Sequence, residues 1–206
     1  NFRVAYFGHH YKGGTCHWDG PSWPFSTSIA LKAMANLLRN YNQSVISKED
    51  FVWLLNIYSK SHRRINKNGK KICWIDENIN PFTGDWISRT MRMRKSLDAK
   101  AENYDEESQH YERGKDYNHS AFCDFIISDL VGIQTSMDQH LTIDPLVPED
   151  YWDWFCLDNV KVHNNIITVI WDKKGKKYEK GEGFMIYVNG ELIYHSKTIK
   201  KITIRI

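Results

Sequence analysis

Two neighbouring carboxylates, Asp76 and Glu77, stand in the stretch WIDENINPFTGDW, framed by Trp74 and Trp86 and followed by a Pro, a Thr and a Gly. A sugar presents flat C–H faces that stack on indole rings and hydroxyls that need directional partners, and this segment supplies both. The chemistry it suggests is carbohydrate recognition, with one carboxylate available for acid–base work. A turn with Trp74 and Trp86 as core anchors and Asp76 as its cap explains the composition equally well, since Asp and Asn favour turns. Composition alone does not choose between these roles, nor between Asp76 and Glu77.

Glycosidic hydrolysis needs two carboxyl groups, one to protonate the leaving oxygen and one to activate water, held roughly 6.5–9.5 Å apart in an inverting site. Sequence neighbours are poorly placed to be that pair, so a partner must come from elsewhere. Within the chain Asp19, Asp85, Glu112 and Asp116 are candidates. A second aromatic and polar stretch, HWDGPSWPFSTS, carries Trp18, Asp19 and Trp23 around a Gly-Pro, a better shape for a pocket wall than for a hydrophobic staple.

These loops need elements to hold them. Ser22 is placed to cap a helix with Trp23 and Pro24 in its first turn, and Ile29, Ala30, Ala33, Met34, Leu37 and Leu38 recur at helical spacing as far as Tyr41. Ser47 and Asp50 form an approximate capping box for a second helix, whose stripe is Phe51, Leu54, Leu55 and Tyr58. The short link between them predicts an antiparallel helical hairpin. His62 to Lys71 is basic, turns at Asn68-Gly69, and is expected to be a solvated loop. Residues 87–93 are expected to form one or two helical turns, and residues 98–116 a long polar loop. A third helix is predicted from Phe122 through Ile126 and Leu130 to Ile133, with Gly132 near its end.

After Leu141 the period changes to that of strands: NIITVIW is β-branched, Asn189-Gly190 is the strongest hairpin signal, and ITIRI closes the chain. The expected fold class is mainly α with a C-terminal antiparallel β module, divided as residues 1–138 and 139–206.

Composition narrows the partners. The 28 basic and 25 acidic residues leave a net charge of +3, too small a field to argue for nucleic acid. The basic runs Lys173 to Lys177 and Lys197 to Lys201 are read as solvated strand edges. Aromatic residues make up 14 % of the chain, which favours a groove that stacks on neutral rings. No apolar run is long enough to span a bilayer. Cys16, Cys73, Cys123 and Cys156 lack metal-site spacing and are expected to pack, with a disulfide open to them if the chain is exported. His9, His10 and His17 near Cys16 lack a completing carboxylate or second Cys, so neither metal nor cofactor is assigned.

Together, WDGPSW at Trp18 to Trp23 and ENINPFTG at Glu77 to Gly84 resemble the W-x-G-P-x-W and E-N-x-x-P-x-T-G signatures of the (α/α)6-toroid glycosidases around glycoside hydrolase family 63. That group includes the mannosylglycerate hydrolase-like and trehalase-like enzymes. The resemblance implies inverting hydrolysis of an α-linked oligosaccharide or glycoside, without metal, in a pocket built from loops at one end of the toroid. It selects Glu77 as the general base and places Trp18 and Trp23 near the reacting sugar. Trp74 and Trp86 then become further wall candidates, and Asp19, Asp76 and His119 become partners for hydroxyls. The family's general acid is an Asp far upstream, and no residue here matches it. Asp19 stands where family 63 enzymes usually carry Arg, which exchanges a donor for an acceptor and should alter which sugar fits. Where many relatives have an aromatic-Trp-Thr sequence, this chain reads YNHSAF, containing His119.

The chain holds fewer helices than a complete (α/α)6 toroid followed by a small β-sandwich-like domain would need. It also opens without Met or signal peptide. Both features suggest the C-terminal part of a larger enzyme whose remainder supplies the acid. A carbohydrate-binding module without catalysis and a helical interaction domain using Trp as hot spots are the alternatives from other classes.

Overall fold

The computed structural model describes residues 22–66, 68–75, 79, 86 and 121–206. They belong to two compact units, one comprising residues 1–31 and 54–121 and the other residues 32–53 and 122–206. A few helices and C-terminal antiparallel sheets make up the described fold.

Helix α1 runs Pro24–Asn40 and α2 runs Lys48–Ser61. Pro24 opens α1, where its missing N–H costs nothing. Trp23 therefore takes the cap position expected of Ser22, and its carbonyl accepts from the Thr27 amide at 2.9 Å. Ser22 is used differently, since its backbone pairs with Ile79. The capping box of α2 forms as expected: Ser47 N donates to Asp50 Oδ2 at 2.8 Å and Asp50 N to Ser47 Oγ at 3.2 Å.

In the first unit, Leu31, Leu55 and Tyr58 are buried. The segment expected as a solvated loop is a short hairpin, β1 (Arg63–Ile65) paired antiparallel with β2 (Lys71–Cys73). Its turn is held by Asn66, whose side-chain oxygen accepts from Asn68 N at 3.1 Å and Lys70 N at 2.9 Å. The alternation is too short to register as a strand period in the sequence; Arg63 and Lys71 face solvent while Arg64 and Ile72 are half-buried.

The second unit has a different third helix from the one predicted. A single α turn, α3 (Ala121–Asp124), widens into a π-helical segment at Phe125–Leu130 and stops there. Val131 N donates to Ile126 O at 3.0 Å, five residues back. Ile133, expected on the helix stripe, instead begins strand β3 (Ile133–Thr135). Gly132 makes the change of direction, with φ of +81° and a Cβ position only 2.1 Å from the Asp144 carbonyl oxygen, so no side chain fits.

Strands β3, β4 (His140–Ile143) and β9 (Ile202–Arg205) form a three-stranded antiparallel sheet in the order β3-β4-β9. A four-stranded meander follows the order β5 (Trp154–Val162), β6 (Asn165–Asp172), β7 (Gly183–Val188), β8 (Glu191–Ser196). The apolar run of β6 is buried on both faces at its centre: Ile167, Val169 and Trp171 point one way, Ile170 and Asp172 the other. Phe184 and Ile186 extend the first face on β7. Asn189 and Gly190, with φ of 52° and 86°, make the predicted hairpin turn.

A buried ion cluster ties α1 to the π-helical segment. Arg39, 4 % exposed, donates from Nη1 to Asp129 Oδ1 at 2.8 Å and from Nη2 to the Asp144 carbonyl at 3.0 Å. Lys32 adds a second donor to Asp129 at 2.8 Å. The wide turn brings both the carboxylate and the carbonyl of Asp129 to one guanidinium.

The cysteines depart from expectation. Cys73, Cys123 and Cys156 are free and exposed rather than packed, Cys73 and Cys156 because strand alternation turns them outward. Cys16 lies outside the described residues. Among the described residues, no helix is long and apolar enough to cross a membrane.

Candidate functional site

The first unit carries what the structure describes of the site. Trp74 leaves β2 with its amide bonded to the His62 carbonyl at 3.0 Å, and Arg64 lies 5.1 Å from its ring centre, so one indole position is set by the hairpin. Ile75 then turns inward. Ile75, Ile79 and Trp86 form a small buried core, with Trp74 packed against it. Trp86 is 6 % exposed, and its indole N–H donates to the Arg63 carbonyl at 3.0 Å.

Ile79 is the pivot. Its N–H donates to Ser22 O and its C=O accepts from Ser22 N, both at 2.8 Å, and it also bridges antiparallel to Trp86. This bridge joins the two aromatic stretches singled out in the sequence, WDGPSW and ENINPFTG, by a closed pair of backbone bonds. Positions 76–78 are thus bounded on one side by buried Ile75 and on the other by buried, doubly bridged Ile79. Trp23, half-buried, follows Ser22 directly and starts α1.

Of the site residues read from the sequence, Trp23, Trp74 and Trp86 are described, and Ser22 with the hairpin brings their backbone neighbours together. Trp18, Asp19, Asp76, Glu77 and His119 lie outside the described residues. Sequence reading gave Tyr58 only as part of the helical stripe and His62 only as the start of a solvated loop. Tyr58 is buried, and its carbonyl takes His62 Nδ1 at 2.5 Å and the Ser61 hydroxyl at 2.6 Å; the Tyr58 and His62 rings meet edge to face at 4.6 Å. Burial pushes the His62 imidazole below its ordinary range, against the pull of its bond to Tyr58. Burial likewise raises the Tyr58 phenol. The His62 carbonyl in turn accepts from Trp74 N at 3.0 Å, which joins this pair to the residue that follows β2. Tyr58 was visible in the helical stripe, but His62 falls one residue past the helix and carried no signal of its own.

A family model for the mannosylglycerate hydrolase MGH1-like glycoside hydrolase domain matches residues 2–120. The chain belongs to the MGH1-like glycoside hydrolase family. A second model, for the C-terminal domain of glycosyl hydrolase family 65, matches residues 136–194 and so covers β4 to β7 and most of β8. A solved structure titled "Sialidase" is similar to 98 % of this MGH1-like chain at 34 % identity, with a TM-score of 0.75. The chain spans 16 % of the length of that protein.

Proposed function

We propose that this chain is the C-terminal part of an inverting glycoside hydrolase, with residues 1–138 completing an (α/α)6 toroid and residues 139–206 forming its β-sandwich-like partner. The matches at 2–120 and 136–194 support that division. The observation that carries the reading is the Ser22–Ile79 bridge, because it fastens the stretch that carries one signature to the stretch that carries the other, two residues along the chain from Glu77.

Glu77 is the general base. It draws a proton from the attacking water while an Asp from the rest of the larger chain protonates the leaving oxygen, so the two carboxyl groups divide the work an inverting site requires. Trp18, Trp23 and Trp74 offer stacking faces for an α-linked sugar. Trp86 contributes as the wall that fixes the far end of the loop. Asp19, Asp76 and His119 bind hydroxyls, with Asp19 accepting where family 63 enzymes donate. Because a 34 % identical protein is titled "Sialidase", an acidic terminal sugar belongs in the substrate panel.

In the full-length protein, Glu77→Gln is expected to lower hydrolysis by about 10²-fold to 10⁴-fold while sugar binding persists. Turnover near the normal rate would remove Glu77 from the mechanism.

A further inference from the structure

We propose that the β module carries an accessory surface for an acidic glycan, an extended chain of carboxylate-bearing sugars, at the end of the four-stranded sheet where β6 passes to β7. Trp154 begins β5 and pairs in register with Asp172, the last residue of β6. The two side chains therefore share a face. Trp154 is 49 % exposed, and neighbouring Tyr151 and Trp152 are also exposed, at 41 % and 38 %. Single exposed aromatics need no explanation, but three in four residues do; Glu149, Asp150 and Asp153 beside them act on Lys173 at the start of the neighbouring loop and leave the rest of its lysines in excess.

That loop is built to stay in place. The Asp172 carboxylate is buried and accepts from Lys177 N at 2.7 Å, Tyr178 N at 3.1 Å and Lys174 N at 3.3 Å. The fold thus spends a buried charge on the shape of an exposed loop. The result is that Lys177 Nζ lies 4.2 Å from the Trp154 ring centre and Tyr178 meets Trp154 edge-on at 6.3 Å. The run KKGKKYEK, residues 173–180, has five Lys against one Glu. Lys173 is taken by Asp150 at 2.5 Å. Lys174, Lys176, Lys177 and Lys180 have no ion-pair partner among the described residues, and all are exposed.

With Lys173 held by Asp150 and Lys177 set against Trp154, the ammonium groups left over at this edge are those of Lys174, Lys176 and Lys180, and aromatic rings beside them match a ligand that alternates apolar ring faces with carboxylates. A neutral sugar would leave the lysines unused. A nucleic acid would also satisfy both features, but the nearly balanced charge of the whole chain provides no wider field for a phosphate backbone. The solvated strand edge expected from the sequence is thus a cationic rim around an aromatic platform.

The surface rests on the glycosidase reading only for the class of polymer it meets. Migration of the full-length protein would be measured in native gels containing polygalacturonate, neutral dextran or single-stranded DNA, with hydrolysis of a small glycoside assayed in parallel. Retardation by polygalacturonate is expected to weaken about tenfold in Trp154→Ala and at least as much in the double variant Lys174→Ala, Lys176→Ala, with hydrolysis unchanged. The lysine pair makes no described side-chain contact, so it tests the surface even if Trp154→Ala fails to fold. Equal retardation of parent and lysine variant, equal retardation by dextran, or stronger retardation by DNA would each overturn the proposal. Loss of hydrolysis in Glu77→Gln with retardation intact would separate this surface from the catalytic site.

Discussion

The aromatic loop of the first unit and the four-stranded sheet of the second solve the same problem, fixing side chains in space, by different means. The sheet spreads the task along three ladders, β5-β6-β7-β8, unbroken between β6 and β7 and shifted in register once in each of the other two, with Ile167, Val169, Phe184 and Ile186 all buried completely. The loop is held at points: Ser22–Ile79, Ile79–Trp86, Trp86 to Arg63, and Trp74 to His62. A ladder averages over many bonds, so any single loss is shared. Point anchors set a few positions closely and fail singly.

The largest test of this contrast pairs two aromatic truncations. Phe184→Ala and Trp86→Ala should each cost about 3–5 kcal/mol, the range for removing a buried aromatic. Their reach should differ. Phe184→Ala is expected to lower amide protection across β5 to β8, whereas Trp86→Ala should expose residues 54–75, abolish activity of the full-length enzyme, and leave the sheet protected. Hydrogen exchange read by mass spectrometry distinguishes them; equal spreading of both effects would break the comparison.

Next in size is the ion cluster. Arg39→Ala leaves Asp129 buried with one cation instead of two, and the Asp144 carbonyl loses a donor. A loss of about 3 kcal/mol in urea denaturation is expected, at the low end for a broken buried pair because Lys32 remains. Adding Asp129→Leu to Arg39→Met should cost less than the sum of the single changes, since the penalty is the stranded carboxylate rather than the lost attraction.

How far these features were legible follows from the range of the forces that make them. The α2 capping box and the Asn189-Gly190 turn were read correctly because each is complete within four residues. Trp74 and Trp86 were picked out by composition, and their packing with Ile75 and Ile79 shows only in the fold; Glu77, selected by its register in a signature, lies outside the described residues. The π-helical segment was not legible: Phe125, Ile126 and Leu130 have helical spacing, and the contact made from within it, Asp129 to Arg39, joins residues 90 positions apart. The Ser22–Ile79 bridge was equally hidden, because isolated backbone pairing leaves no side-chain period. Ser22 looked like a cap since its type suits one, yet Pro24 fixed the helix start and its backbone found a distant partner. The role of the lysine run near Trp154 also depends on contacts across strands, which composition reports only as charge.

A smaller effect should separate the sheet from the loop it carries. Burial works against the charged form of Asp172, but the amides of Tyr178, Lys177, Lys174 and Lys176 outweigh it and hold the carboxyl below the ordinary Asp range. A depressed folded pKa means the stabilisation is fully present above the unfolded value, about 3.9, and is lost as pH falls through the folded value. Asp172→Ala should cost about 1–3 kcal/mol at pH 7, with the difference from parent shrinking below about pH 4. Exchange at 174–178 should rise while Phe184 and Ile186 stay protected, if the ladder is as independent of its loop as its burial implies.

The smallest effect tests whether an element that is itself regular can also depend on a point anchor. Ser47 and Asp50 exchange three hydrogen bonds at the start of α2, with Ser47 Oγ to Asp50 Oδ2 at 2.9 Å completing the box. The Ser47 amide and hydroxyl together lower the Asp50 carboxyl below its ordinary range. Its contribution is therefore present above the unfolded Asp value and disappears as pH falls through the folded one. Ser47→Ala removes the acceptor for Asp50 N and should cost about 1 kcal/mol. That loss should register as fraying of the first turn, ahead of Phe51, rather than as release of the helix, because Phe51 and Val52 are buried within the next turn. Helix α2 would then combine both designs: a start set by one box, and a body held by its packed face.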